Sequence, residues 1–197
     1  MTSLSIVRRL STRDYLLIAL GLVILQAIIL FALGRVPICT CGHIKLWEGA
    51  VNSSENSQQI FDWYTPSHVI HGLLFYFALW LVFPKTPVMQ RFAVAIGIEV
   101  AWEIIENTPL IIDRYRAGTI SLNYYGDSVL NSVSDTLSMM FGFLLAARLP
   151  VIFCVLLAVT LEAFTAFWIR DNLALNIVML LYPLDAIRDW QAALPNQ

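Results

Sequence analysis

The sequence predicts an all-α fold: a polytopic transmembrane helix bundle of five to six spans with its N-terminus in the cytoplasm. Three observations predict it. Of 197 residues, 58% are hydrophobic and 13% charged, far from the balance of a soluble domain. Apolar runs of the length needed to cross a hydrocarbon layer, about 20 residues, recur along the chain. Trp and Tyr gather at the ends of those runs, where a bilayer places its headgroups. The net charge is −2, and no basic tract or nucleic-acid-binding motif is present, so nucleic acid is excluded as a partner. The bilayer itself is the expected partner. Once the spans are removed no room is left for a soluble domain, and residues 1–197 read as a single integral membrane domain.

The first span, 15–34, follows Arg8, Arg9 and Arg13. It exceeds the roughly 7–15 residues of a secretory h-region. Phe31-Ala32-Leu33-Gly34-Arg35 is a poor cleavage site, so the run reads as a retained span. A long extracytoplasmic loop, 35–62, comes next. It carries Cys39, Cys41, His43 and a polar stretch over 52–59, while Trp47, Ile60, Phe61 and Trp63 argue for contact with the membrane surface rather than free coil. Span two, 66–83, enters at Trp63 and Tyr64 and leaves at Trp80; Pro84 and Pro87 break the chain before span three, 91–112. Span four, 128–147, enters at Tyr124 and Tyr125, and span five, 150–169, starts on Pro150 and ends at Trp168. The run 173–184 is a sixth span or a half-inserted segment.

Orientation follows the positive charges. With the N-terminus inside, Arg8, Arg9, Arg13, Lys85, Arg91, Arg148 and Arg188 are cytoplasmic, against Arg35, Lys45, Arg114, Arg116 and Arg170 outside, seven to five.

Charge inside the spans is where chemistry is expected. Glu99, Glu103 and Glu106 are spaced by four and then three residues, on one helical face. An ionised side chain at mid-bilayer costs roughly 2.5–3.5 kcal/mol on insertion scales. Three such groups call for partners, protons or a metal. In an alternating bundle the start of span two, the end of span three and the start of span four share one membrane side. That puts His68 and His71 at the depth of Glu103, Glu106, Asn107, Asp127, Asn131 and Asp135, with Glu162 in the same layer.

His68 and His71, three residues apart, can aim both imidazoles at one site. With the carboxylates they form a ligand set for a divalent zinc, manganese or iron ion. The expected metal ligands are His68, His71, Glu103, Glu106 and Asp135. The expected catalytic groups are Glu99, one turn deeper and suited to orient a histidine or hold a proton, and Asp127 and Asn131, suited to position water or substrate. A purely structural hydrogen-bond network is the competing reading, and for Ser138 and Gly142 helix packing is the better account.

Cys39-Thr40-Cys41-Gly42-His43 lacks the two-residue gap of zinc knuckles, and a bridge between cysteines two apart is expected to be strained. Redox or metal chemistry and no chemistry stay open there, while Cys154 reads as a packing residue. Arg114, Arg116 and Arg170 either hold an anionic lipid headgroup above the site or snorkel as ordinary interfacial arginines.

Four stretches carry a resemblance: 39–47 (CTCGHIKLW), 62–72 (DWYTPSHVIHG), 99–107 (EVAWEIIEN) and 126–135 (GDSVLNSVSD). Over nearly its whole length the chain resembles an uncharacterised-protein family of small multi-pass inner-membrane proteins from alphaproteobacteria. The resemblance implies a cell inner-membrane location and several spans, and implies no activity.

The function expected from the residues is metal-dependent catalysis on a lipid or lipid-linked substrate near the outer leaflet. A proton- or cation-coupled transporter using the same carboxylates is the alternative, and a non-catalytic assembly factor the second alternative. No Gly-x-Ser-x-Gly or His-Glu-x-x-His motif is present.

Overall fold

A computed structural model describes residues 10–119, 121 and 123–193. The described residues are helical, with eight helices and no strand: α1 (Thr12–Ala32), α2 (Thr65–Val82), α3 (Val88–Glu106), α4 (Pro109–Gly118), α5 (Val129–Ala146), α6 (Val151–Ile169), α7 (Leu173–Leu181) and α8 (Asp185–Ala192). Four of them, α1, α2, α5 and α6, are long and apolar enough to cross a membrane. At 19 residues α3 matches them in length and carries more charge. It runs back alongside α2 for the full length of that helix. His68 on the first turn of α2 meets Glu99 and Glu103 at the far end of α3, and Tyr76 near the end of α2 lies under Arg91 on the first turn of α3. If α2 crosses, α3 crosses with it.

Each helix starts for a local reason. Ser11 and Asp14 form a capping box on α1. Pro66 sits in the first turn of α2, and prolines precede α3 and α6 at their N-caps. The innermost packing belongs to α2 and α5. A Cβ on Gly72 would stand 2.1 Å from the Met139 carbonyl oxygen, and one on Gly142 2.1 Å from that of Val69. Only glycine permits this approach of backbones. Around it Leu79, Phe92, Ala95, Ile96, Val100, Met139 and Phe143 form the buried core, with Ala19 of α1 on its edge. The outer faces of α1 and α6 expose Leu17, Ile28, Val151, Val159 and Phe167, as a lipid-facing surface does.

Two expected boundaries change. The third span does not run 91–112 as one helix: α3 stops at Glu106, Thr108 is extended (φ −84°, ψ 155°), and α4 begins at Pro109. Proline lacks the N–H that would continue the ladder, and its ring pushes the preceding residue out of the helical region. The run 173–184 is not a sixth span. Its helix, α7, has nine residues, about 14 Å against a hydrocarbon core of about 30 Å. It packs against α4, and α8 returns to the end of α6, where the Arg170 guanidinium donates to the Trp190 carbonyl at 2.7 Å. Arg188 therefore lies on the side of Arg170, opposite to the expected one, and the positive charges divide six to six.

The long loop is folded down as a roof. Glu48 N–H donates to the Phe61 carbonyl (2.9 Å) and Phe61 N–H to that of Leu46 (3.1 Å). Trp63 packs edge-on against Trp47 (5.2 Å) and stacks on Trp168 of α6 (6.0 Å). The roof also closes the start of α5: Ser128, Val129 and Leu130 N–H donate to the carbonyls of Ser57, Val36 and Pro37 at 2.9, 2.8 and 3.1 Å, and the Ser128 hydroxyl accepts from Asn131 N–H. The donors that a helix start leaves unpaired are met by the loop. Cys39 and Cys41 are joined as a disulfide within this roof.

Candidate functional site

The first two turns of α2 aim His68 and His71 toward α3. Glu99, with no exposed surface, accepts from both rings: His68 Nδ1 lies 2.7 Å and His71 Nδ1 3.1 Å from its oxygens. The two imidazoles meet edge to face at 5.2 Å. The other edge of His68 looks to α5, with Nε2 3.8 Å from Asp135 Oδ2, while Glu103 Oε1 stands 3.4 Å from its Nδ1. Two groupings of possible metal-ligating atoms result, His68–His71–Glu99 and His68–Glu103–Asp135, with His68 common to both.

A second layer supports them. Glu103 Oε2 accepts the Ser132 hydroxyl at 2.6 Å, Gln26 of α1 donates to that hydroxyl at 2.8 Å, and Thr136 donates to Gln26 Oε1 at 2.8 Å. The other oxygen of Glu103 is buried with no hydrogen-bond partner. Asp135 accepts from Thr65 Oγ1 at 3.3 Å.

The structure thus brings together His68, His71, Glu99, Glu103 and Asp135. Three expected residues stand apart. Glu106 belongs to neither grouping and faces the cavity beside Tyr115. Asp127 accepts from Asn107 Nδ2 (2.7 Å) and the Tyr124 hydroxyl (3.0 Å). Asn131 donates to the Gln59 carbonyl (2.9 Å) and toward Asp62 (3.5 Å), tying α5 to the roof. Depth along the helix axis was legible for these residues, whereas the direction each takes around the axis depends on where the roof lands.

Burial pushes the Asp127 carboxyl up to about 6 against the pull of the Asn107 and Tyr124 hydrogen bonds. It does the same to Asp171, also to about 6, despite the Asn172 N–H and the Tyr64 hydroxyl. Asp62, fully enclosed, is raised by burial as well, opposed by backbone N–H groups of Tyr64 and Ser57. Asp62, Ser132 and Gln26 were missed by sequence reasoning. Gln26 had a signal: it is the one polar side chain after Tyr15 in a 21-residue helix. Asp62 is held by the nearby N–H groups of Ser57 and Tyr64, while Ser132 had no signal, since its partners Gln26 and Glu103 lie 106 and 29 residues away.

His68, His71, Asp135, Glu106, Asp127 and Asp62 line a cavity of about 600 Å³ beneath the roof. Its upper wall is polar, built from Asn52, Ser53, Ser54, Ser57, Ser121 and Asn123; its lower wall is apolar, built from Leu74, Phe75, Ile98, Trp102, Ile177 and Leu180. The three arginines read as either headgroup ligands or ordinary interfacial residues donate to backbone carbonyls. Arg114 donates to the Leu180 and Leu181 carbonyls, Arg116 to Tyr124 and Arg170 to Trp190. None of them lines the cavity.

Residues 30–193 match the family described as protein of unknown function (DUF2585). A UPF0314 protein of Paracoccus denitrificans is 62% identical over 172 residues, covering 87% of this chain and 89% of the relative. UPF0314 proteins of Agrobacterium fabrum and Sinorhizobium fredii are each 56% identical, the first over 91% of this chain and 90% of the relative, the second over 95% of both. No solved structure matches the chain.

Proposed function

The chain belongs to the DUF2585 family, and from that premise we propose that it is a metal-dependent enzyme of the inner membrane acting on a lipid or lipid-linked substrate near the outer leaflet. One observation carries the reading: two groupings of imidazole and carboxylate share His68 at the wall of a cavity that is polar above and apolar below. An ionised Glu99 only accepts hydrogen bonds, so Nδ1 of both histidines carries a proton, and in a neutral ring Nε2 keeps the lone pair. This is how a carboxylate fixes the tautomer and direction of a metal-bound imidazole. His68 would hold the ion through Nε2 together with Asp135, Glu103 would support the His68 ring, and Glu99 would keep the His68 and His71 rings in place.

A divalent zinc, manganese or iron ion would supply Lewis acidity to a substrate carbonyl or phosphoryl group. The chain's own residues do the rest. Thr65 and Ser132 fix Asp135 and Glu103, the roof limits the entry of water, and the apolar wall receives the substrate's chain. The outer-leaflet side follows from the arginine-rich start of the chain, which favours a cytoplasmic N-terminus.

Elemental analysis of detergent-purified protein tests the reading, wild type beside His68→Ala/His71→Ala. A stoichiometric transition metal in the wild type that is lost in the folded double variant is the expected result. Metal absent from both, after growth with the ions supplied, sinks it. The buried line His68–Glu103–Ser132–Gln26 favours a second reading, proton- or cation-coupled transport through the same carboxylates. Proton-dependent flux in liposomes by metal-free protein is the result that reading requires.

A further inference from the structure

The walls of the cavity carry a charge pattern of their own. Asp62, Glu106, Asp127 and Asp135 line it, and among the described lining residues there is no Lys or Arg. Arg35 approaches the wall near Gly126, but its guanidinium is given to the Tyr125 carbonyl. Asp127 is held by Asn107 and Tyr124, which leaves Glu106 as the carboxylate of this set outside the histidine groupings, the roof and that pair. It stands on the last turn of α3 beside Tyr115, whose hydroxyl donates to Asn176 of α7 at 2.8 Å. Trp102, one turn earlier on α3, and Tyr64 and Tyr124 add aromatic surface to the same cavity.

Four carboxylates against the single guanidinium of Arg35, beside aromatic rings, are the chemistry that recognises an ammonium group. In the metal-free protein a phosphate or carboxylate brought to these walls would meet mostly like charge. Below this region the lining turns apolar, with Leu74, Ile98 and Ile177 among the cavity residues and about half exposed (50%, 42% and 47%). The cavity thus continues from the acidic, aromatic region into a surface suited to an apolar chain.

We propose that the cavity binds an amphiphile with a protonated amine head and a single long apolar chain. The head sits against Glu106, Tyr115 and Tyr124, and the chain runs down along Leu74, Phe75 and Ile98 toward the lipid. The role of such a molecule as substrate rests on the metalloenzyme reading; its binding does not. The selectivity is opposite to that of an arginine-based anionic headgroup site.

The test uses the full chain in maltoside micelles and two probes of one length, a chain-brominated twelve-carbon amine and the matching alkyl phosphate. Quenching is read as the difference between wild type and Trp102→Phe, which isolates the cavity tryptophan. The amine is expected to half-quench at a concentration at least about tenfold lower than the phosphate, and Glu106→Gln to remove that preference by weakening the amine and relieving repulsion of the phosphate. If Glu106→Gln does not fold, Ile177→Lys, at a half-exposed wall position, is expected to abolish the preference by supplying a cation. Repeating the titration with a chelator separates this proposal from the metal centre, since the amine preference is expected to persist without metal. Equal or tighter binding of the phosphate, an unchanged preference in the folded Glu106→Gln and Ile177→Lys variants, or loss of the preference on chelation would overturn it.

Discussion

Glu99 holds two imidazoles with one carboxylate, and substitution there separates shape from charge. Glu99→Gln keeps the volume but replaces one acceptor oxygen with an NH2 donor that faces an Nδ1 proton. At least one ring must then flip its tautomer and turn a protonated Nε2 to the cavity. We expect metal affinity to fall about 10–100-fold with the fold retained, measured by competition against a chelator of known affinity. Asp127 gives a pH signature outside the spans. Its pKa is raised from 3.8 to about 6, so the folded state binds the proton more tightly than the unfolded state does. Stability is then full below about pH 4 and declines as pH rises through about 6. The melting temperature in detergent is expected to drop between about pH 4 and about pH 6, and Asp127→Asn to flatten part of that slope. Asp171, raised to about 6 by burial too, is expected to account for a further part in Asp171→Asn. An unchanged slope in both variants would refute the assignment. At this scale the spacing placed His68, His71, Glu99, Glu103 and Asp135 at one depth on regular helices, but the same count placed Glu106 and Asn131 there too, and the structure turns those to other partners.

Between elements, α2 and α5 are held by two glycines. Gly72→Ala and Gly142→Ala each drive a methyl into facing backbone, which cannot rotate away as a side chain can. Each is expected to cost at least the roughly 1–3 kcal/mol typical of overpacking, and to lower recovery of folded protein. Gly97, on α3, has nothing within 4 Å of its Cβ position. Gly97→Ala is expected to be neutral or to stabilise by up to about 1 kcal/mol through helix propensity alone. Reversible unfolding in mixed micelles compares the three. The number and order of long helices were legible from apolar run length. The break at Thr108-Pro109 was passed over because an apolar run counts residues and ignores the missing N–H. The roof was legible only as not free coil: its contacts to α5 join residues about 70 or more apart in sequence, and no local pattern encodes them.

For the described residues as a whole, taking α3 as crossing beside the four apolar helices puts α4, α7, α8 and the roof on one side. Six positive charges on each side remove the numerical bias, so orientation rests on the cluster Arg8, Arg9 and Arg13 ahead of α1. In a background with Cys39, Cys41 and Cys154 replaced, Ser54→Cys and Asp189→Cys are expected to react together with an impermeant maleimide on intact cells. Lys85→Cys and Arg148→Cys should react only after permeabilisation. Labelling of Asp189→Cys with the second pair would restore a sixth crossing and overturn the placement of α7. The carbonyls of Val36, Pro37 and Ser57 that receive the first N–H groups of α5 also impose an order on biogenesis. Residues 35–62 leave the ribosome before α5 is made, so the acceptors wait on the far side of the bilayer when that helix arrives. A chain whose loop fails to fold against α5 leaves the leading donors of that helix bare.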